Sequence, residues 1–193
     1  MGATEVRGIQ IYELKLEMLE IEPLIWRRLL VPGSITLAQL HEVIQTAMGW
    51  TNSHLHEFIV GEHIYSDPEF EIDEARSEYR YRLARLAPRV RNTITYLYDF
   101  GDGWEHQVRV EGIIEDDTRY PGRPVCLAGA RNCPPEDCGG PWGYENFLKA
   151  IGNKKHKERK ELMAWVGGSF DPEHFDLEAV NDLLRKIDLR PRW

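Results

Sequence analysis

The chain has 193 residues, 42% hydrophobic, 29% charged and 10% aromatic, which suffices for one domain with a sizeable buried core and excludes a disordered chain. A net charge of −8 opposes non-specific attraction to nucleic acid, which runs on basic side chains displacing counterions, so such a role needs a local basic patch. No apolar run approaches the roughly 20 residues of a membrane span, "MGATEVRG" lacks the apolar stretch of an export signal, and three cysteines are an odd count for a disulfide framework. The expected setting is reducing and cytoplasmic.

Residues 9–19, "IQIYELKLEML", alternate apolar Ile9, Ile11, Leu14, Leu16 and Met18 with polar partners after a slip near Tyr12, the period of a half-buried strand. Glu22-Pro23 marks a turn, and residues 24–31 read as a second strand closing a hairpin, with Pro32-Gly33 as its exit. Ser34 or Thr36 can cap the next segment, in which Leu37, Leu40, His41, Ile44, Ala47 and Met48 fall at helical spacing before a Gly49 stop. "HLHEFIVGEHIYSDP" returns to period two with Leu55, Phe58 and Val60, and Gly61-Glu62 suits a hairpin turn.

Residues 71–93 are charged, and Pro88 limits any helix there to a turn or two. "TITYLYDF" and "WEHQVRVEGII" are strong strands joined by Gly101-Asp102-Gly103, whose glycines suit positive φ. Residues 115–143, rich in Pro, Gly and Asp, read as a long irregular loop of the kind that is functional or internally tied. Beyond it "YENFLKAI", "KERKELMAWVG" and "DLEAVNDLLRKI" are helical, with Gly152 and Gly167-Gly168 as stops and Asp176 as an N-cap. No repeat or composition shift divides the chain. The expectation is a single domain over residues 1–193 of the α+β class. It combines a mainly antiparallel sheet of about five or six strands, one helix packed across it in a grasp-like arrangement, and a helical C-terminal third.

Four groups of residues carry chemistry. Cys126, Cys133 and Cys138 lie in "CLAGARNCPPEDCGG" at Cys-x6-Cys-x4-Cys spacing. Three thiolates and one imidazole make a closed tetrahedral zinc site, and His106 is the best-placed fourth ligand. Pro134-Pro135 would stiffen this loop and Gly139-Gly140 would let it fold closely round an ion. The Cys-x2-Cys knuckle is missing, and plain burial of the three cysteines is the competing reading. In "YDFGDGWEH", Asp99, Asp102, Glu105 and His106 offer ligands for a catalytic divalent ion or an acid–base pair. Against that, the aspartates suit the turn, Trp104 suits the core, and alternation sends Glu105 and His106 to opposite sheet faces.

His54 and His56 of "HLHEF" share one face of a strand and can chelate an ion. Arg80, Arg82, Arg85 and Arg89, with Tyr79 and Tyr81 among them, offer phosphates and bases a track, although Glu71, Asp73, Glu74 and Glu78 partly neutralise it. "NKKHKERK", residues 153–160, sets cations at a helix start, where the helix dipole disfavours them, and suits a partner surface. There is no Gly-x-Ser-x-Gly elbow, phosphate-cradling glycine loop or His-Glu-x-x-His motif.

Together "IWRRLLVPGSITLAQLHEVIQTAMGW", "HLHEF", "YLYDFGDGWEHQVRVE", "CLAGARNCPPEDCGGPWGYENFL" and "FDPEHFDLEAVN" resemble the plasmid pRiA4b ORF-3-like family over residues 9–184. The resemblance implies a compact α+β domain, carried in some members by plasmids or transposable elements and fused in others to small zinc-binding modules, with no assigned activity. Its pattern falls on Tyr98, Asp99, Phe100, Gly101, Asp102, Trp104 and His106, then on Cys126, Pro134, Pro135, Glu136, Asp137, Gly139, Gly140, Gly143 and Tyr144. Two functional expectations follow. One is a binding domain with a structural zinc site at Cys126, Cys133, Cys138 and His106 and a nucleic-acid or protein partner linked to mobile elements. The other is a metal-dependent hydrolase or nuclease built on the hairpin from Tyr98 to His106, with His54 and His56 as further ligands.

Overall fold

The computed structural model describes residues 8–190; residues 1–7, which hold most of the stretch read for an export signal, and residues 191–193 lie outside it. The elements in chain order are β1 (Gln10–Met18), β2 (Trp26–Pro32), α1 (Leu37–Met48), β3 (His56–Val60), β4 (His63–Ser66), β5 (Arg76–Ser77), α2 (Leu83–Leu86), β6 (Thr93–Tyr98), β7 (Trp104–Glu115), β8 (Val125–Ala130), α3 (Gly140–Gly152), α4 (Arg159–Trp165) and α5 (Leu177–Leu184). The strands form one sheet in the order β5-β4-β3-β6-β7-β1-β2-β8, antiparallel except for the short β4–β5 pair. This is the α+β architecture expected, with eight strands where the sequence suggested about five or six. Among the described residues no helix is long and apolar enough to cross a membrane.

Alternation decides which face of the sheet is covered. Leu14, Leu16 and Met18 of β1 point into the core with Val108 and Val110 of β7 and the inner side of α1. On the other face Arg28 bonds Glu111 at 2.8 Å and Arg119 pairs with Glu13 at 2.8 Å, the wet side of an antiparallel sheet. The slip near Tyr12 is real: Ile11 and Tyr12 are both buried, and the β1–β7 register shifts between Glu13 and Leu14. Helix α1 begins at a capping box, in which Thr36 accepts from the Gln39 N–H while the Gln39 side chain accepts from the Thr36 N–H. It ends at Gly49 in the left-handed region, φ 91°.

The long loop expected over residues 115–143 contains an element that the sequence concealed. Val125–Ala130 pairs with β2 in the register Leu29↔Cys126 and forms the edge strand β8. "VCLAGA" has no polar alternation because this edge is itself covered. The Asn181 side chain of α5 accepts from the Cys126 N–H at 2.8 Å and donates to the Cys126 carbonyl at 2.9 Å, filling the backbone groups turned away from β2.

Arg27 of β2 is buried, and among the described residues it has no carboxylate partner. Its Nε donates to the Ala47 carbonyl at 2.9 Å, one terminal nitrogen to the Trp26 and Ala130 carbonyls at 2.8 Å, and the other to the Arg131 carbonyl at 2.9 Å. Ala47 lies in the last turn of α1, so the guanidinium satisfies a carbonyl that the helix leaves open and complements the negative end of its dipole. Phe175 covers the cation, its ring centre 4.3 Å from the guanidinium carbon. One side chain thereby ties α1, β2, β8 and the C-terminal region together. Arg27→Met keeps most of the volume but strands these carbonyls, and urea unfolding should show a loss of about 3 kcal/mol.

Candidate metal centre and adjoining cavity

The tip of the β6–β7 hairpin is shaped by Asp99, which adopts φ 58°. Its Oδ1 accepts from the Gly101 and Asp102 N–H groups at 3.0 and 3.3 Å, an Asx turn, and its carbonyl accepts from the Gly103 N–H. Of the two glycines expected at positive φ only Gly103 has it; Asp99 supplies the other left-handed position. With Oδ1 held by the turn, Oδ2 faces the His54 Nε2 at 3.7 Å.

A second segment is brought against this tip. Asp102 Oδ2 accepts from the Gly139 N–H at 3.1 Å, and a Cβ on Gly140 would collide with the Asp102 carbonyl oxygen. The start of α3 therefore seats directly on the hairpin. Just upstream, Trp50 Nε1 donates to the Pro134 carbonyl at 3.0 Å and stacks on Tyr98 at 4.8 Å. Glu136 Oε1 accepts from the Thr51 N–H at 2.8 Å and from the Tyr98 hydroxyl at 3.2 Å. Its Oε2 is 3.6 Å from His54 Nε2, and Asp137 Oδ1 is 3.3 Å from the same nitrogen.

His54 Nε2 thus meets carboxylates of Asp99, Glu136 and Asp137, yet it is shielded from water and makes no hydrogen bond. Ligand atoms of His54, Asp99 and Asp137 all lie within 4.8 Å of one another, the one such group of three or more His, Cys, Asp or Glu side chains among the described residues. Asp137 is largely exposed and forms the outer side of the group.

His54 also lines a cavity of about 920 Å³ between the first turn of α1, the strand β3 and the segment that carries Glu78–Arg82. At its inner wall His41 and His56 stack with ring centres 3.4 Å apart and planes 7° from parallel. His56 Nε2 bonds Glu78 at 2.9 Å, both side chains being 3% exposed. Gln45 donates to the Tyr96 oxygen at 2.9 Å, so the Tyr96 hydroxyl donates to His41 Nδ1 at 2.8 Å. His41 then carries its proton on Nε2 and donates to Asn52 at 2.7 Å. Burial, followed by the neighbouring His56, pushes His41 down to about 3, which keeps the stack from carrying two charges.

The other expected site residues lie on several elements. Cys126, Cys133, Cys138 and His106 do not form a ligand group by the same 4.8 Å measure. Cys126 sits in β8 and its thiol donates to the Ala128 carbonyl at 3.3 Å, Cys133 is buried in the core, and Cys138 precedes α3. Burial pushes both the Cys133 and Cys138 thiols up to about 12. His106 is fully buried beside Trp50 and Tyr96, with Nδ1 facing the Trp104 and Tyr96 carbonyls at 3.0 and 3.3 Å. Of the hairpin set, Asp99 joins the centre, Asp102 is spent on Gly139, and Glu105 faces outward.

His54 and His56 part company because β3 begins at His56. His56 takes the inward position with Phe58, displacing the expected Leu55, while His54 turns toward the hairpin tip. The arginine track also divides: Arg80 and Arg82 line the cavity, whereas Arg85 lies over the Tyr81 ring at 5.5 Å and, like Arg89, does not line it. Tyr81 packs on Tyr65, whereas Tyr79 bonds Asp67 at 2.6 Å through its hydroxyl and keeps its ring about half exposed. Asp137 and Glu136 were visible in the sequence only as part of the family pattern, and nothing marked Glu78 as a buried partner.

A small α+β domain whose hairpin tip is locked onto the start of a C-terminal helix, with a histidine and carboxylates at the lock, is the class that fold and site define. The chain belongs to the family described as Plasmid pRiA4b ORF-3-like protein, whose model matches residues 10–179. It is 37% identical over 192 residues to the uncharacterized protein y4hQ of Sinorhizobium fredii (strain NBRC 101917 / NGR234), covering 95% of this chain and 94% of that protein. The crystal structure of the protein of unknown function MM3350 from Methanosarcina mazei Go1 is similar at a TM-score of 0.80 and 38% identity, over 89% of this chain and 97% of that one. Neither name states an activity.

Burial lowers His106 from its ordinary 6.5 to about 4, against the carbonyl contacts that raise it. In the window between those values the unfolded chain binds a proton that the folded chain refuses, so stability is complete above 6.5 and falls as pH drops towards 4. This residue alone accounts for roughly 3 kcal/mol of the loss, and His41 adds to it in the same direction. Urea titrations across that window should give a flatter slope for His106→Gln than for the wild type; equal slopes would contradict the assignment.

Proposed function

We propose that the protein is a divalent-metal-binding domain that acts as a metal-dependent hydrolase, with His54, Asp99 and Asp137 as ligands and Glu136 beside them, facing His54. The observation that carries this is His54 Nε2, withdrawn from water, without a hydrogen bond and faced by carboxylate oxygens at 3.3, 3.6 and 3.7 Å. A buried donor or acceptor left unpaired costs free energy, and a cation shared among these atoms removes that cost.

One imidazole with two or three carboxylates suits a first-row divalent ion such as Mn²⁺, Fe²⁺ or Zn²⁺. The ligands already have their supports. Asp99 is fixed through Oδ1 by the turn, and Glu136 through Oε1 by Thr51 and Tyr98, leaving the opposite oxygens towards His54. Exposed Asp137 gives the group an open side, the arrangement that lets a metal keep a water and lower its pKa for attack on an ester or amide. The competing explanation is that His54 faces the carboxylates directly, with no ion between them.

Metal analysis separates the two. Protein purified without chelator and titrated with Mn²⁺ or Zn²⁺ should bind about one equivalent, and Asp99→Asn should weaken binding at least tenfold. Asparagine keeps the Oδ1 acceptor for the Gly101 and Asp102 N–H groups, so the melting temperature of the metal-free variant should stay close to that of the wild type. No stoichiometric metal, or equal affinity in the Asp99→Asn variant, would refute the centre. Stoichiometric metal without metal-dependent hydrolysis of a panel of activated esters would leave a binding domain and remove the hydrolase.

A further inference from the structure

The cavity beside the proposed metal centre has its own charge pattern. Acidic side chains on its lining are engaged: Glu78 by His56 at 2.9 Å, Asp67 by the Tyr79 hydroxyl at 2.6 Å, and Asp188 by Arg190 at 2.7 Å. Glu42 also has a partner. Arg80 and Arg82 line the same space and make no side-chain hydrogen bond or ion pair with any described residue.

Backbone geometry explains why these two arginines face one way. Tyr81 and Arg82 are extended, at φ −117°, ψ 131° and φ −102°, ψ 147°, so successive side chains alternate. Tyr81 turns inward onto Tyr65, at 4.8 Å between ring centres, and its neighbours on both sides turn to the cavity. The strut is fixed in place along its length. The Leu37 N–H donates to the Tyr81 carbonyl at 3.0 Å, the Leu83 N–H to the Ile35 carbonyl at 2.9 Å, and buried Glu78 is held by His56. Residues 34–39 at the start of α1 form an adjoining part of the wall and add the positive end of a twelve-residue helix.

We propose that this cavity binds a small molecule through an anionic group, a phosphate or a carboxylate, taken by Arg80 and Arg82 beside the first turn of α1. The volume, about 920 Å³, is that of a small-molecule site. Two guanidinium groups presented from one anchored segment match the planar, forked geometry of either anion. His56 and Glu78 act as positioning residues: their buried contact fixes the turn from which Arg80 projects. Neither arginine belongs to the His54–Asp99–Asp137 group, and the proposal does not depend on a metal.

The test uses the full chain in the presence of a chelator, so that the anion site and the metal centre fail or succeed separately. Inorganic phosphate and succinate are titrated by calorimetry and followed by amide chemical shifts. One or both should bind saturably and move the signals of Ala38, His54 and Arg82; phosphate alone assigns a phosphate-bearing ligand, and succinate alone a carboxylate. Arg80→Gln with Arg82→Gln should weaken that binding at least about tenfold, the equivalent of one lost charge-assisted hydrogen bond. Arg85→Gln with Arg89→Gln should leave it unchanged. All four arginines are exposed, so both double variants should keep the wild-type circular dichroism. Absence of saturable binding by either anion would overturn the proposal. So would equal weakening by the two double variants with a short single-stranded oligonucleotide as the tighter ligand, which would restore a surface track for nucleic acid.

Discussion

The proposed centre depends on a backbone contact too close to admit a side chain. Gly140 lies so near the Asp102 carbonyl that any Cβ would collide with it, and a Cβ on Gly143 would strike the Cys138 carbonyl. The left-handed backbone at Gly139 and Gly140 turns the chain into α3 at this point, and the Gly139 N–H closes the join by donating to Asp102. Hairpin tip and helix start are therefore one unit. Asp99 on the first and Asp137 on the second are separated by 38 positions yet face one imidazole, because the glycines allow what any other residue would prevent.

A second layer holds this unit to the rest of the sheet. Trp50, just beyond the end of α1, stacks on Tyr98 and donates to Pro134, while Tyr98 accepts from the Ser53 N–H and donates to Glu136. The turn that carries His54 is thus bound to both segments that carry the carboxylates. Arg27 works at the same end of that helix, where its bonds to Ala47, Ala130 and Arg131 fix α1 relative to β8 and the chain that leads to Cys133. Buried polar groups satisfied on several sides in this way hold geometry more strictly than apolar packing does.

Regular structure was readable in the sequence wherever one face meets water and the other the core. Strands β1, β6 and β7, helix α1 with its Thr36 cap and Gly49 stop, and α5 with its Asp176 cap all follow from period, caps and turns. Strand β8 did not, because small residues covered on the edge by Asn181 leave no alternation to detect. The candidate site was half legible. Asp99 and His54 stood out as residue types, but their grouping depends on a long-range contact through Gly139 and Gly140, and spacing along the chain carries no record of it. The cysteines are close in sequence, but β8 carries Cys126 and the start of α3 follows Cys138, and their thiols with His106 form no group within 4.8 Å of one another.

The two neighbouring regions differ in how their charged groups are paired. Carboxylates converge at the hairpin lock, whereas along the cavity carboxylates have partners in His56, Tyr79 and Arg190, and Arg80 and Arg82 make no ion pair with any described residue. Buried Glu78 is hydrogen-bonded to His56, on which neutral His41 stacks, and makes no ion pair with Arg80. His54 belongs to both regions, lining the cavity with one side and facing the carboxylates with Nε2. A small anion drawn to the arginines would therefore lie in the same concavity as the imidazole of the proposed centre.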